Sequence, residues 1–325
     1  MKIRRFQSIL LTIISLGIIA AFVYYLYVNA NQYRDLLNVS ATGAAMLFVL
    51  SLAFPILSGM QNVFLYRSLG AKISYRDGFF LTAASTLANQ LPISGGILSK
   101  GFYLKRIYNL SYTKFISSTV ALFVCFLAVN GLMGMTILLY WILFRKVAVN
   151  PVLLIAYTMM AGCVLAFWLP LDRIKIPEKL RKWSHQAIEG WMLISRNPVL
   201  LFQLIGLQFL LVLLLAIRYW LAFHMLSQNV TIAQTLLFST ASILTQLVSI
   251  APGGLGVREA IVSGVASALG FDAGVSLVAV GLDRLVSTVV IVLVGWVSTV
   301  ILGKQIAETS KKPGGQDAEE LNSAQ

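Results

Sequence analysis

One apolar segment with a break near its middle constrains the fold of this chain more than any other feature. Residues 242–259 read SILTQLVSIAPGGLGVRE, so a Pro-Gly-Gly sequence interrupts the segment just before Arg258 and Glu259. Proline and glycine disfavour a continuing helix, and irregular backbone at membrane depth persists only where protein or water covers it. A helix that begins after such a break directs free N–H groups and its positive dipole end into the gap. The segment therefore predicts a broken, re-entrant helix in a membrane protein.

The composition supports a membrane setting. Of the 325 residues, 58% are hydrophobic and only 11% are charged, whereas soluble domains carry about 25% charged residues. The net charge of +13 does not indicate nucleic-acid binding, because most Lys and Arg residues fall in predicted cytoplasmic segments once Lys2, Arg4 and Arg5 are placed inside. We therefore expect a multi-pass protein of the cytoplasmic membrane, with both termini in the cytoplasm.

Apolar runs at six places are long enough to cross a bilayer, which takes about 20 residues. They are residues 8–28, 43–65, 116–143, 151–170, 199–223 and 274–302. Two further segments, about 79–108 and 233–270, are apolar but are interrupted by proline and glycine. The sequence thus predicts an all-α integral membrane protein with about six full spans plus two re-entrant broken helices.

The predicted domain organisation has two parts. Residues 1–303 form a polytopic membrane domain, and residues 304–325 form a polar cytoplasmic tail that we expect to be disordered. Within the domain, residues 172–197 form the longest polar connector, and apolar residues recur in it at helical spacing. Two interpretations of this connector stay open: an amphipathic helix on the inner leaflet, or a solvated cytoplasmic loop.

The two interrupted segments resemble each other. Both contain Ser-x-Leu, then Gln-Leu, then Pro-x-x-x-Gly and a following basic residue: residues 85–96 with Lys100, and residues 242–256 with Arg258. The predicted topology enters the first from the cytoplasm and the second from outside. Two opposed broken helices predict an inverted pseudo-repeat.

Five charged residues lie in or near apolar sequence: Arg218, Arg258, Glu259, Asp283 and Arg284. A charge at mid-membrane costs about 2.5–3.5 kcal/mol on insertion scales, so each needs a partner or water. One arrangement pairs Glu259 with Arg284 and Asp283 with Arg218, which leaves Arg258 free for a ligand. The alternative is structural: the five charges form ion pairs that fix helix packing, or Arg218 extends to the outer headgroups.

These observations predict a binding site for an anionic lipid headgroup at the second break. Its predicted residues are Pro252, Gly253, Gly254, Gly256, Arg258, Glu259 and Arg284, supported by Arg218 and Asp283. Lys100, Lys105 and Arg106 follow the first break and form a predicted inner basic site, although cytoplasmic basic residues need no special role.

Motifs that indicate catalysis are absent from the sequence. It contains no HExxH, no Gly-x-Ser-x-Gly and no P-loop. Cys125 and Cys163 lie in separate apolar runs and His185 and His224 are isolated, so we expect neither a disulfide framework nor a metal site. We expect no enzyme activity, no cofactor and no nucleic-acid partner.

The run PGGLGVREA at residues 252–260 resembles the signature of the lysylphosphatidylglycerol synthase transmembrane region, also called the flippase-like domain family. FYLKR at residues 102–106 resembles an earlier basic motif of that family, and Asp283-Arg284 falls where the family tends to place an arginine. The resemblance covers about residues 8–303. The first motif departs from the family pattern Pro-Gly-x-x-Gly-Glu, with Ile93 and Ile97 in place of the second Gly and the Glu.

The resemblance implies a lipid-flippase membrane region. Full-length relatives couple such a region to a cytosolic domain that transfers lysine from lysyl-tRNA onto phosphatidylglycerol. About 22 residues follow the last predicted span here, too few for such a domain. We therefore do not expect the transferase activity.

Three functions remain open at this point. The first is binding or translocation (flipping) of an anionic phospholipid or lipid-linked glycan intermediate across the cytoplasmic membrane. The second is a non-transporting membrane subunit that regulates a partner enzyme, lipid-modifying or glycosylating, through residues 172–197. The least favoured is a phosphatidylglycerol lysyltransferase itself. The sequence predicts neither the substrate's identity nor the oligomeric state.

Overall fold

The computed structural model describes residues 40–90, 95–146, 149–168, 192, 194, 196–246 and 256–310. Within these residues the protein consists of nine α-helices and has no strand. The helices are α1 (Ala41–Ser68), α2 (Tyr75–Ala88), α3 (Gly95–Tyr108), α4 (Tyr112–Tyr140), α5 (Pro151–Gly162), α6 (Pro198–Met225), α7 (Ile232–Ala241), α8 (Val257–Ala268) and α9 (Ala273–Ser310). A π-helix (Trp141–Arg145) extends α4, and 3-10 helices extend α5 (Cys163–Trp168) and α7 (Ser242–Gln246).

Four helices of the described part are long and apolar enough to cross a membrane: α1, α4 with its π-helix, α6 and α9. They match the predicted spans 43–65, 116–143, 199–223 and 274–302, so the predicted all-α membrane fold is confirmed. The run at 151–170 forms a shorter apolar helix, Pro151–Leu165, because α5 gives way to a 3-10 helix after Gly162. The predicted span 8–28 and most of the connector 172–197 lie outside the described residues.

Each predicted broken helix contains two half-helices. α2 and α3 have 14 residues each, and α7 and α8 have 10 and 12. At about 1.5 Å per residue a 14-residue helix is about 21 Å long, less than the hydrocarbon core of about 30 Å. No half-helix can therefore cross a bilayer alone.

The turns that precede the two broken helices have the same backbone geometry. Each contains one residue in the left-handed region, Gly70 (φ 93°) after α1 and Ser227 (φ 57°) after α6. In each turn the N–H of the next residue donates to the carbonyl of a buried aromatic residue, Tyr66 or Phe223, at 3.0 Å. This bond and the left-handed residue define a Schellman-type helix end.

The half-helices that follow these turns also begin alike. Ser74 and Thr231 are the N-caps of α2 and α7, and each side chain accepts a hydrogen bond from the backbone N–H three residues later. Such a cap satisfies one of the free N–H groups of the first turn. In α7 the Gln234 side chain also accepts a bond from the Thr231 N–H at 2.8 Å, which completes a capping box.

α1 and α6 lie side by side and antiparallel. Gly43, near the start of α1, contacts Met225 at the end of α6, whereas Gln61 lies near Leu204 in the first turns of α6. We call the end of the bundle where α1 ends and α2 begins the inner end, and the end where α6 ends and α9 begins the outer end. Helix α9 runs from the outer end towards the inner end and packs against α2, where Gly295 lies close to Leu87.

Two clusters of buried apolar residues occupy the two ends of the bundle. Tyr66, Leu104 and Phe115 belong to the inner cluster, and Phe223 and Phe238 belong to the outer one. Within a membrane, close van der Waals packing of such side chains stabilises the contacts between the helices. The region between the clusters is more polar and contains the site described below.

The last helix continues past the predicted end of the membrane domain. We predicted a disordered tail from residue 304, and this boundary is wrong because α9 extends to Ser310. Gln305 donates to the Asp77 carboxylate at 3.2 Å and accepts a bond from the Tyr103 hydroxyl at 2.6 Å. Tyr108 also donates to Asp77, at 2.9 Å. These bonds join α2, α3 and α9 at the inner end. Residues 311–325 lie outside the described part.

Candidate functional site

A cavity of about 240 Å³, lined by both polar and apolar residues, lies between the helices of the bundle. Residues from α1, α2, α4, α6, α7, α8 and α9 line it. The polar lining consists of Ser51, Ser58, Gln61, Thr86, Asn130, Gln208, Arg218, Ser239, Ser242, Thr245, Arg258 and Ser287. A cavity with this many donors and acceptors inside an apolar bundle is the first candidate for a binding site.

Asp283 of α9 is fully buried and pairs with Arg218 of α6. The Nε of Arg218 donates to Oδ1 of Asp283 at 2.8 Å, and Nη2 lies 2.8 Å from the same oxygen. Nη2 is not aligned for a hydrogen bond there, and neither it nor Oδ2 of Asp283 has a hydrogen-bond partner among the described residues. The pair joins α6 to α9, and loss of one partner would leave an uncompensated buried charge.

Glu259 of α8 and Arg284 of α9 form a second buried pair. Nη1 of Arg284 donates to both carboxylate oxygens of Glu259, at 3.1 and 3.3 Å. Adjacent helical residues point about 100° apart, so Asp283 and Arg284 reach different partners. Both pairs are those of the one arrangement that was proposed from the sequence.

Arg258 differs from the other charged residues of the cluster because 21% of its side chain is exposed. Its Nε donates to the Tyr219 hydroxyl at 2.8 Å, and its Nη2 lies 3.8 Å from Oδ2 of Asp283. The Tyr219 hydroxyl lies in turn 2.9 Å from the Ser242 hydroxyl. Arg258, which the proposed arrangement left free for a ligand, therefore contacts Tyr219 and Asp283, and it also lines the cavity.

Among the residues that the structure describes, the charges of the cluster do not balance. Three guanidinium groups face two carboxylates, and Asp283 pairs with both Arg218 and Arg258. An excess positive charge in a low-dielectric interior is stabilised by an anion or by water. Arg218 and Arg258 both line the cavity, so the cavity is the place where such an anion can balance the charge.

The helix that carries Arg258 begins at a glycine. Gly256 is the N-cap of α8 with φ 79° and ψ −33°, a conformation that glycine adopts without steric strain. No side chain caps this helix among the described residues. Pro252, Gly253 and Gly254, the other predicted residues of the site, lie outside the described part.

At the first break, a side chain at the end of α2 caps the start of α3. Oδ1 of Asn89, at the end of α2, accepts a bond from the N–H of Gly96 in α3 at 2.9 Å. A Cβ at Gly96 would overlap the Ser85 carbonyl and the Asn89 side chain, so only glycine allows this approach. Ile97, which departs from the family motif, is exposed, and Ile93 lies outside the described residues.

The structure does not bring the predicted inner basic site to the cavity. Lys105 and Arg106 are exposed on α3, and the ammonium of Lys105 lies 4.9 Å from the centre of the Tyr112 ring. Lys100 is partly buried. None of the three lines the central cavity.

A comparison with protein families supplies a family assignment. The family described as lysylphosphatidylglycerol synthase TM region matches residues 12–295. The chain belongs to this family. Neither a search of curated proteins nor a search of solved structures gave a match. The assignment confirms the resemblance carried by residues 252–260, and a lipid-related role in the membrane is consistent with the membrane region of this family.

Sequence reasoning missed four residues of the site. Tyr219 positions Arg258, and Gln61, Asn130 and Gln208 line the cavity with buried amides. Each stands inside a long apolar run, where an amide or a buried tyrosine hydroxyl needs a polar partner. That signal was available in the sequence, but we considered only the charged residues.

Proposed function

We propose that this protein binds the headgroup of an anionic amphiphile, a phospholipid or a lipid-linked glycan intermediate, in its central cavity and moves it across the cytoplasmic membrane. The observation that carries the proposal is the arginine cluster, in which the described residues supply three guanidinium groups and two carboxylates, beside a cavity with a partly polar lining. Guanidinium groups bind phosphate oxygens through charge-assisted hydrogen bonds. The acyl chains stay in the lipid while the headgroup passes between the helices.

The inverted repeat that we propose supports transport over simple binding. The equivalent turns at Gly70 and Ser227, the equivalent N-caps Ser74 and Thr231, and the antiparallel packing of α1 on α6 are the relations that two inverted halves would have. In transporters built this way the substrate site lies at the interface of the repeats. The central cavity lies between α1 and α6, and residues of both halves line it.

The proposed orientation places the inner end in the cytoplasm. Basic residues of the described part gather at that end: Arg67, Lys72, Arg76, Lys105, Arg106, Lys114, Arg196 and Lys304. Cytoplasmic loops carry such an excess of Lys and Arg.

Single cysteines test the orientation in sealed vesicles. In a variant without Cys125 and Cys163, an impermeant thiol reagent added outside right-side-out vesicles should label Asn229→Cys. It should label Lys72→Cys only after the vesicles are opened. The reversed pattern would contradict the orientation.

Lipid movement in proteoliposomes tests the function. Wild-type protein should equilibrate a labelled anionic phospholipid between leaflets, and Arg258→Ala should slow this by about tenfold or more, as expected for loss of a charged hydrogen bond. Arg145→Ala, which removes an exposed arginine of the outer end, is the matched control and should behave as wild type. If the leaflet distribution of every anionic lipid tested stays unchanged, the transport proposal is wrong.

The regulatory alternative stays a prediction. It depends on the connector 172–197, most of which lies outside the described residues. Copurification of a membrane enzyme, together with no lipid movement by the protein alone, would favour it. The expectation that the chain is not a lysyltransferase also stays a prediction, and an assay for transfer of lysine from charged tRNA to phosphatidylglycerol tests it.

A further inference from the structure

A second group of buried polar side chains lines the cavity and carries no charge. Gln61 of α1, Asn130 of α4 and Gln208 of α6 are 3%, 1% and 6% exposed, and all three line the cavity. Gln208 precedes Arg218 by ten residues on α6, which places it about 15 Å closer to the inner end. The cavity therefore has a cationic outer part and a neutral amide part.

The hydrogen bonds of these amides leave several polar atoms unused. Nε2 of Gln61 lies 3.4 Å from the Leu204 carbonyl and 3.5 Å from Oε1 of Gln208, both at the limit of hydrogen bonding. Nδ2 of Asn130 donates to the Phe126 carbonyl at 2.7 Å. Among the described residues we find no partner for Oε1 of Gln61, Nε2 of Gln208 or Oδ1 of Asn130. The buried atoms without a partner in the described part are Nη2 of Arg218 and Oδ2 of Asp283, so these three amide atoms are accessible, and their residues line the cavity. Accessible amide atoms without a protein partner suit a polar ligand or water.

The two halves of the proposed inverted repeat place different chemistry at matching positions. Gln61 precedes Gly70, the left-handed residue after α1, by nine residues, and Arg218 precedes Ser227 by nine residues as well. One half therefore presents a neutral amide to the cavity where the other half presents a guanidinium. A ligand that satisfies both parts is anionic at one end and uncharged but polar at the other.

An amine-bearing ligand does not fit this arrangement. Both carboxylates of the cluster are already paired with arginines, Asp283 with Arg218 and Glu259 with Arg284. No carboxylate belongs to the described residues that line the cavity. An ammonium group would therefore meet amides and arginines instead of an opposite charge.

We propose that Gln61, Asn130 and Gln208 bind hydroxyl groups, so that the substrate is a lipid phosphodiester bearing a polyol or sugar and not one bearing an amine. This inference rests on the proposed function, because the phosphate is placed at Arg218 and Arg258. An amide both donates and accepts hydrogen bonds, as a hydroxyl does, so an amide and a hydroxyl can satisfy each other's donors and acceptors. Glycerophospholipids with polyol headgroups and isoprenoid-linked phosphosugars both carry a phosphodiester together with free hydroxyl groups.

Two soluble short-chain lipids test the inference directly. Dioctanoyl phosphatidylglycerol and dioctanoyl phosphatidylpropanol carry the same single negative charge and differ by two hydroxyl groups. Wild-type protein should bind the first about tenfold more tightly, since each hydroxyl adds the modest stabilisation of a hydrogen bond. Lysyl-phosphatidylglycerol, which adds amines, should bind more weakly than phosphatidylglycerol. Isothermal titration in detergent measures all three affinities.

Variants of two of the amides test whether these side chains cause the preference for phosphatidylglycerol over phosphatidylpropanol. Gln61→Leu and Gln208→Leu should lose most of the preference for phosphatidylglycerol while their affinity for phosphatidylpropanol stays that of wild type. Gln203→Leu changes an exposed glutamine on the same helix α6 and should keep the preference. Melting temperatures measured on the same samples identify any variant that is merely destabilised.

The outcomes separate this inference from the proposed function. Equal wild-type affinity for phosphatidylglycerol and phosphatidylpropanol overturns the hydroxyl subsite but leaves the anion site standing. Binding of lysyl-phosphatidylglycerol as tight as that of phosphatidylglycerol also overturns it. If none of the anionic lipids binds, the proposed function itself fails. If phosphatidylglycerol does bind more tightly than phosphatidylpropanol, the affinities of dioctanoyl phosphatidylinositol and of a short-chain prenyl phosphosugar are compared. The tighter of the two identifies the lipid class that supplies the headgroup.

Discussion

Arg258 of α8 donates from its Nε to the Tyr219 hydroxyl of α6 at 2.8 Å, and its guanidinium lies 5.4 Å from the centre of the same tyrosine ring. Tyr219 is fully buried, and its hydroxyl also contacts Ser242 at 2.9 Å. The most exposed charge of the cluster is thus held by a rigid aromatic side chain. Because Ser242 precedes the second break and Arg258 follows it, Tyr219 connects both sides of the break to α6.

Removing the Tyr219 hydroxyl should weaken lipid binding without removing any charge. Tyr219→Phe keeps the ring but frees Nε of Arg258, and loss of one hydrogen bond worth about 0.5–1.5 kcal/mol predicts a fall in affinity of about twofold to tenfold. Titration with an anionic short-chain lipid measures this. Tyr140→Phe, at an exposed tyrosine of α4, is the control. Unchanged affinity in Tyr219→Phe would show that the hydroxyl does not position Arg258 for binding.

Arg258 itself should contribute more than its tyrosine partner. Hydrogen bonds to charged groups contribute about 1.5–3 kcal/mol, so Arg258→Ala should lower the affinity for an anionic lipid by at least about tenfold. Arg258→Lys should recover only part of it, because an ammonium cannot bind phosphate with two parallel donors. Affinity and melting temperature are measured on the same samples. A lowered melting temperature with unchanged affinity would mean that Arg258 is only a structural ion-pair partner.

The Arg218–Asp283 pair should behave as a structural connection between α6 and α9. Asp283→Leu leaves Arg218 buried without its counter-charge and should destabilise the protein by about 3–5 kcal/mol, whereas the double variant with Arg218→Met should recover much of this loss. Unfolding of the purified protein measures both. Glu308→Gln, at an exposed acid on the same helix, should change little. A double variant as unstable as the single one would argue against the pair.

Gly96 should tolerate no side chain. A Cβ there would overlap the Ser85 carbonyl and the Asn89 amide, and such overpacking costs about 1–3 kcal/mol. Gly96→Ala should therefore lower the melting temperature. In Gly206→Ala of α6 an added Cβ meets nothing within 4 Å, so this control should be neutral or slightly stabilising. Equal melting temperatures for the two variants would contradict the close approach at the first break.

The end of α9 should matter for stability. A chain that stops after residue 303 loses Gln305, which bonds both Asp77 and Tyr103, and leaves polar groups without partners at about 1–3 kcal/mol each. A chain that stops after Ser310 keeps these bonds and should melt like the full chain. The prediction would be wrong if the two truncated proteins melted at the same temperature.

Local physical constraints made part of this protein predictable from its sequence. Helical spans follow from the length of the apolar runs, since every backbone group in lipid must be bonded within its own helix. Both broken helices follow from proline and glycine at places where a continuous helix is disfavoured. The pairs Arg218–Asp283 and Arg284–Glu259 were foreseeable because buried charges need partners, and few carboxylates were available to supply them.

Other features depend on residues that only the tertiary structure brings together. Gln61 and Gln208 are 147 positions apart, and Asp77 and Gln305 are 228 apart. Hydropathy shows that a segment is apolar, but not which face of one helix meets which face of another. The sequence therefore placed the start of the tail at residue 304, where α9 in fact continues, and it did not identify Tyr219 as a partner of Arg258. The packing of the helices determines where the cavity lies and that Tyr219 and the three amides meet there. A space between helices depends on how several elements fit together and not on any one segment.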